Sequence, residues 1–185
     1  EDIPVLLSVG KDNVYIWEKG ETRLHENEAA EILREMCQGE YMHPTSVKEG
    51  KIELVADIDG LLKVDSDKMK KINGMGELMI ASRHGNFAVK KGDKLAGTRI
   101  IPLVIEREKM EQAKAVCGGE PILELKPFVH KKVGIVTTGN EVYYHRIEDT
   151  FTPVIKEKLA EYDTEVIGQE ICNDDHEKIT KAILS

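Results

Sequence analysis

Apolar and polar positions follow two different rhythms along this chain, and the change falls near residue 130. Up to that point most apolar runs are short and separated by turn residues. Residues 3–9 and 13–17 are two such runs. Gly10, Lys11 and Asp12 lie between them, which predicts a hairpin. Asn27 then opens a helix near 27–38. In it Ala29, Ile32, Leu33, Met36 and Cys37 fall on one face at spacings of three and four, with Gly39 as the stop. Residues 44–105 read as β structure. Ile52, Leu54 and Ala56 alternate with Lys51, Glu53 and Val55 in an imperfect period of two, Asp59-Gly60 has the form of a primed hairpin turn, and Leu61, Leu62 and Val64 return. A short polar piece at 66–72 has helical character. Three more strands are expected at 78–81, 87–89 and 100–105; Pro102 puts the last at an edge or a bulge. Several short strands with frequent turns predict a small barrel or sandwich. Met110, Ala113 and Val116 mark a connecting helix near 106–117, stopped by Gly118-Gly119, and residues 120–130 read as a link.

After residue 130 strand and helix alternate. Val133, Ile135 and Val136 form a mostly β-branched run, broken by Thr137, Thr138, Gly139 and Asn140. Glu141, an irregular polar run and Asp149 follow, and Thr152-Pro153 starts a helix to about 162. Val154, Ile155 and Leu159 supply its apolar side. Residues 165–172 form the next strand. Asn173, Asp174 and Asp175 cap a second helix, with Ile179, Ala182 and Ile183 on one face and Glu177 in reach of Lys181. Such a strand–helix–strand makes a parallel crossover. Two parallel strands do not bury both faces of a sheet, so this part is expected to be incomplete and inactive on its own. The predicted fold class is therefore α/β plus β-rich. A β-rich leader domain (1–127) precedes a truncated three-layer α/β parallel-sheet domain (128–185).

Composition narrows the function. Charged residues make up 32%, aromatics 5%, and the net charge is -8. Nucleic-acid binding, which needs a basic face, is not expected. No stretch reaches the roughly 18 apolar residues of a membrane span. Cys37, Cys117 and Cys172 are odd in number and far apart, which points to reduced thiols and a cytoplasmic location. Met36 and Cys37 are expected as core filling. In open parallel sheets ligands sit beyond the carboxyl ends of strands, where the 137–149 stretch would lie. An ordinary strand-to-helix loop has the same layout. Asp174 and Asp175 are also explained by helix capping alone, and Arg146 by a solvated loop cation.

Val133-Gly134-Ile135-Val136-Thr137-Thr138-Gly139-Asn140-Glu141-Val142, then Ile147 and Asp149, then Asn173-Asp174-Asp175 with Ile179 beyond, give a more specific signal. Together they resemble the first third of the molybdopterin-binding domain. That domain is shared by molybdopterin molybdenumtransferases, molybdopterin adenylyltransferases, gephyrin and competence-damage-type proteins. By that resemblance Glu141 and Asp174 are the carboxylates at the reacting centre and the candidate ligands of Mg2+. Thr137, Thr138, Gly139, Asn140 and Asp149 would border the pterin. The implied activity is molybdate insertion into adenylylated molybdopterin. Alternatives are a non-catalytic cofactor carrier serving a molybdoenzyme, or a nucleotide or ribotide hydrolase of the competence-damage type. The resemblance and an unpaired sheet edge both lead one to expect a homo-oligomer. Tyr143-Tyr144-His145-Arg146 replaces the Gly/Pro segment common in the family. Upstream, His25-Glu26-Asn27-Glu28-Ala29-Ala30, Glu49-Gly50-Lys51 and Ala96-Gly97-Thr98-Arg99-Ile100-Ile101-Pro102-Leu103 are similar to the leader of a bacterial subgroup of molybdopterin-binding proteins.

Overall fold

The computed structural model describes residues 2–11, 13 and 20–185. The chain separates into two compact units, Glu1–Lys126 and Pro127–Ser185.

In the first unit α1 (Ile3–Ser8) is followed by β1 (Arg23–His25) and α2 (Glu26–Cys37). Then come β2 (Met42–Pro44), β3 (Lys51–Ala56), β4 (Gly60–Val64) and α3 (Ser66–Asn73). The unit continues with β5 (Leu78–Ser82), β6 (Phe87–Val89), β7 (Lys94–Ile100), β8 (Val104–Glu106), α4 (Arg107–Cys117) and β9 (Leu123–Pro127). One sheet has the order β2-β3-β7-β5, a second has β6-β4-β9, and β1 pairs with β8. Both main sheets and the inner faces of α2, α3 and α4 feed one hydrophobic core. It includes Leu33, Ile52, Leu62, Ile72, Ile100, Met110 and Leu123, each essentially inaccessible to water. Met36 and Cys37 lie in it as expected; burial pushes the Cys37 thiol up to about 12.

Local chemistry explains most of these elements, and it corrects several readings of the sequence. The helix cap at α2 is His25, not Asn27. The His25 ring accepts the Asn27 N–H, and the Glu28 carboxylate accepts the His25 N–H at 3.1 Å, a reciprocal capping box. The Asn27 side chain is thereby released to accept the Gly50 N–H at 2.9 Å. Gly39 follows the helix because a Cβ there would overlap the Leu123 carbonyl oxygen. Residues 3–9 were expected as one arm of a hairpin but form α1, with proline in the first turn. The partner run at 14–17 and Asp12 lie outside the described residues.

Asp59-Gly60 makes no hairpin either. β3 and β4 belong to different sheets, and Gly60 is required by the close approach of the Lys126 carbonyl. The expected strand at 100–105 is two strands, β7 and β8. Pro102, without an N–H, lies in the gap between them. The presumed link at 120–130 contains β9, with Leu123 and Leu125 buried.

The three leader stretches noted in the sequence meet at one point. Gly50 donates to Asn27, its carbonyl accepts the Ile100 N–H at 2.9 Å, and the Glu26 N–H reaches the Leu103 carbonyl at 2.9 Å.

The second unit holds β10 (Lys131–Thr138), α5 (Asn140–Tyr143), α6 (Phe151–Ala160), β11 (Thr164–Cys172) and α7 (His176–Leu184). β10 and β11 pair in parallel from Lys131↔Thr164 to Thr138↔Cys172, with a register shift between Val133 and Gly134. The apolar side expected for α6 is open to water: Val154 and Ile155 are exposed and only Thr152 is buried. On α7 Ala182 is buried while Ile183 is exposed. Among the described residues Glu177 and Lys181 form no ion pair. Among them, too, no helix is long and apolar enough to cross a membrane.

Candidate functional site

The parallel pairing brings the ends of β10 and β11 together. Thr138 faces Cys172 in register, and the Gly139 N–H extends the ladder to the Cys172 carbonyl at 3.2 Å. The chain turns sharply here. Gly139 has φ 136°, a region that side-chain-bearing residues avoid. The absence of a side chain also gives room: a Cβ on Gly139 would lie 3.1 Å from Glu141 Oε1. The Glu141 carboxylate therefore folds back over the glycine.

Asp174 arrives at the same point from the other strand. Its Oδ2 accepts the Asn140 N–H at 3.3 Å. Both carboxylates thus border the Gly139-Asn140 dipeptide. The three-residue run after β11 divides its labour. Asp175 caps α7, its Oδ1 accepting the Glu177 and Lys178 N–H groups at 2.9 and 3.2 Å. Asn173 Oδ1 is buried with no hydrogen-bond partner among the described residues. So helix capping, which explained either acid from the sequence, accounts for Asp175 and leaves Asp174 exposed at the end of the sheet.

Thr137 and Asp149 belong to a second, adjoining network. Asp149 Oδ1 accepts the Phe151 and Thr152 N–H groups at 3.0 and 3.1 Å. Its Oδ2 accepts the Thr152 hydroxyl at 2.6 Å and the Gln169 amide at 3.0 Å. Those donors, the Thr152 hydroxyl first, hold the Asp149 carboxyl below the ordinary aspartate value. The Thr152 and Thr137 hydroxyls lie 3.0 Å apart, and Gln169 also donates to Thr152 at 2.9 Å. Asp149 therefore starts α6 and ties it to both strands. Its oxygens are turned to the protein, unlike those of Glu141. Thr138 is exposed on the rim.

Thr152, which the sequence marks only as a helix start, and Gln169, which it does not mark at all, are both members of this network. The spacing of Asp149 and Thr152, three residues apart at a helix start, was a readable signal. Gln169, an exposed strand residue, carried none.

The aromatic loop has its own internal contacts. Tyr143 and Tyr144 meet edge to face with centroids 5.1 Å apart, and the Arg146 guanidinium lies 5.4 Å from the Tyr144 ring. His145 takes φ 54°. Lys178 of α7 stands 5.8 Å from the Tyr143 ring, so a cation from the second helix reaches this loop.

What the arrangement offers chemically is two oxygen donors at one sheet end, suited to a hard cation or to hydroxyl and amine groups of a ligand. Among the described residues no three His, Cys, Asp or Glu side chains gather to hold a metal ion. No curated protein and no solved structure matches the chain. Residues 134–185, which span both strand ends and every residue of this site, match the family model of a probable molybdopterin binding domain.

Proposed function

We propose that the chain acts in molybdenum cofactor biosynthesis. In this reading it holds molybdopterin across the ends of β10 and β11, in the first part of a three-layer α/β domain. The observation that carries the proposal is the meeting of Glu141 and Asp174 at the Gly139-Asn140 turn, inside the matched segment. Gly139 lets the chain turn sharply and seats the Glu141 carboxylate over it. Glu141 and Asp174 face the reacting end, and Thr138 and Asn140 offer hydrogen bonds along the edge. The Thr137–Thr152–Asp149–Gln169 network keeps the turn in place.

The specific activity proposed is that of a molybdopterin molybdenumtransferase. Two carboxylates are too few to cage Mg2+ alone, but they suit that ion where ligand and water oxygens complete its shell. When bound, the ion would neutralise charge between the pterin and molybdate. Glu141 and Asp174 would orient it and exclude competing cations. A carrier would bind the pterin without needing both acids for turnover, and a ribotide hydrolase would act without molybdate.

The test is a binding and turnover assay on the full-length gene product with adenylylated molybdopterin, molybdate and Mg2+. Expected is saturable pterin binding, with release of molybdenum cofactor that falls about a hundredfold in Glu141→Gln or Asp174→Asn. Binding without release, unchanged in both variants, would assign the chain to cofactor carriage. Hydrolysis of ADP-ribose or a ribotide amide would move it to the hydrolase class. No pterin binding at all would end the proposal.

A further inference from the structure

The first unit carries a second candidate site, on the outward face of the β2-β3-β7-β5 sheet. Side chains alternate along β7, so Thr98 and Ile100 are buried and Arg99 points out. In register Arg99 stands directly opposite Lys51 of β3 on one side and Met79 of β5 on the other. Like charges placed opposite each other across a ladder are destabilising. A third cation, Lys48, comes from the far side of the two-residue turn Glu49-Gly50. Lys48 and Lys51 exchange main-chain hydrogen bonds of 3.0 and 2.9 Å across that turn. The three cations share an open groove of about 360 Å³ with Thr45, Ser46 and Glu53.

Two features separate this groove from an ordinary charged surface. The turn is pinned. Gly50 (φ 68°) is buried, donates to Asn27 and accepts from Ile100, and a Cβ on it would lie 2.9 Å from the Ile100 carbonyl. Glu49 takes φ 50°, an uncommon conformation for its type that the pinned turn imposes. Lys48 and Lys51 are thus presented by a stiff scaffold, which lowers the ordering cost of binding.

The charges are also unbalanced. Glu53 bonds Lys51 and Lys94, both at 2.7 Å, and these two cations hold its carboxyl down at about 2. Among the described residues Lys48 and Arg99 have no acidic partner, and Glu49 on the rim is the groove's other carboxylate. Thr45 Oγ1 accepts the Glu53 N–H at 3.0 Å, which leaves its O–H to donate into the groove.

We infer that this groove binds a phosphate group of a small anionic molecule, seated between Lys48, Lys51 and Arg99. The guanidinium fork matches the oxygens of a tetrahedral oxyanion, and the Thr45 and Ser46 hydroxyls supply further donors. The site lies wholly in the first unit and is independent of the pterin reading.

The experiment is a titration of the chain with inorganic pyrophosphate, orthophosphate and acetate at fixed ionic strength. It is read by amide chemical shifts and calorimetry. Expected is saturable binding of the two phosphates, with the largest shifts at residues 45–51 and 97–99 and only weak response to acetate. Arg99→Gln and Lys48→Gln should each weaken pyrophosphate binding about tenfold or more, while Lys70→Gln on α3, an equal change in net charge, should leave it unchanged. Glu53→Gln, which frees Lys51 and Lys94, should tighten it. Shifts scattered over surface lysines, equal losses in Arg99→Gln and Lys70→Gln, or acetate binding as well as phosphate would each overturn the inference.

Discussion

The two units hold themselves together in different ways. In the first, α-helical and β-sheet faces close on a contiguous core that runs from Leu24 to Leu125. In the second, the buried apolar side chains are Val142, Cys172 and Ala182. Meanwhile Phe151 is 72% exposed, Ile167 62%, Ile183 67% and Leu184 80%. A pair of parallel strands with three helices has too little surface to bury both sheet faces. What fixes the second unit is the β10–β11 ladder and the side-chain bonds around Thr152. The lesson is that its candidate site is organised by hydrogen bonds, whereas the first unit's groove rests on a packed sheet.

The largest predicted effect breaks or keeps this contrast directly. Leu33→Ala or Ile52→Ala should cost about 2–5 kcal/mol, because each empties a fully buried position. Ile167→Ala should stay within about 0.5 kcal/mol, the range of surface changes. Thermal unfolding followed by unit-resolved hydrogen exchange checks both. Amides of the second unit should exchange through lower-energy openings than those of β3 and β7. A cost near 2 kcal/mol for Ile167→Ala would show that this face is covered in solution, for instance by a second copy of the chain.

Glycines sharpen the same comparison at a smaller scale. In the first unit a Cβ on Gly39 or Gly60 would overlap a backbone carbonyl, so either Gly→Ala change should cost about 1–3 kcal/mol. In the second unit Gly134 and Gly168 face each other across the ladder, and a Cβ on either meets nothing within 4 Å. Gly134→Ala and Gly168→Ala should therefore be neutral or stabilise by about 0.5 kcal/mol, through the unfolded chain. Denaturant midpoints of the four variants decide it.

How far the sequence foretold this depended on whether a signal was local. The stripe of α2, the left-handed Gly118 that ends α4 at φ 69°, and the β-branched run of β10 act within a few residues, and all were legible. Strand partners were not. Asp59-Gly60 carries a strong hairpin signal, yet β3 pairs with β2 and β7, because Gly60 is needed where Lys126 passes. β9 was hidden because Pro121 and Pro127 frame Leu123 and Leu125 like a linker. In α1 the alternation of Ile3, Val5, Leu7 and Val9 imitates a strand, and proline in the first turn favours the helix instead. At the candidate site the turn at Gly139 and the acids were readable. The separation of Asp174 from Asp175 was not, since either carboxylate satisfies a capping rule.

The smallest predicted effect concerns acid. Asp149 is the joint of the second unit's network, accepting from Phe151, Thr152 and Gln169. Its carboxyl is depressed in the folded chain, so the stability it contributes is present above its unfolded value. That stability is lost as pH falls through the lower folded one. Amide protection of α6, β10 and β11 should therefore decline once pH drops below the ordinary aspartate range. Asp149→Asn should flatten that decline, because the amide has no proton to gain over this range. The first unit has its own acid response at Glu53, whose carboxyl is held at about 2 by Lys51 and Lys94, so its contribution is lost from the ordinary glutamate range down to about 2. Hydrogen exchange from pH 5 downward separates the two, since each unit reports on its own carboxylate. Should the second unit keep its full acid slope in Asp149→Asn, the network around Thr152 would not be what holds it, and the contrast between a hydrogen-bonded unit and a packed one would fail at its weaker side.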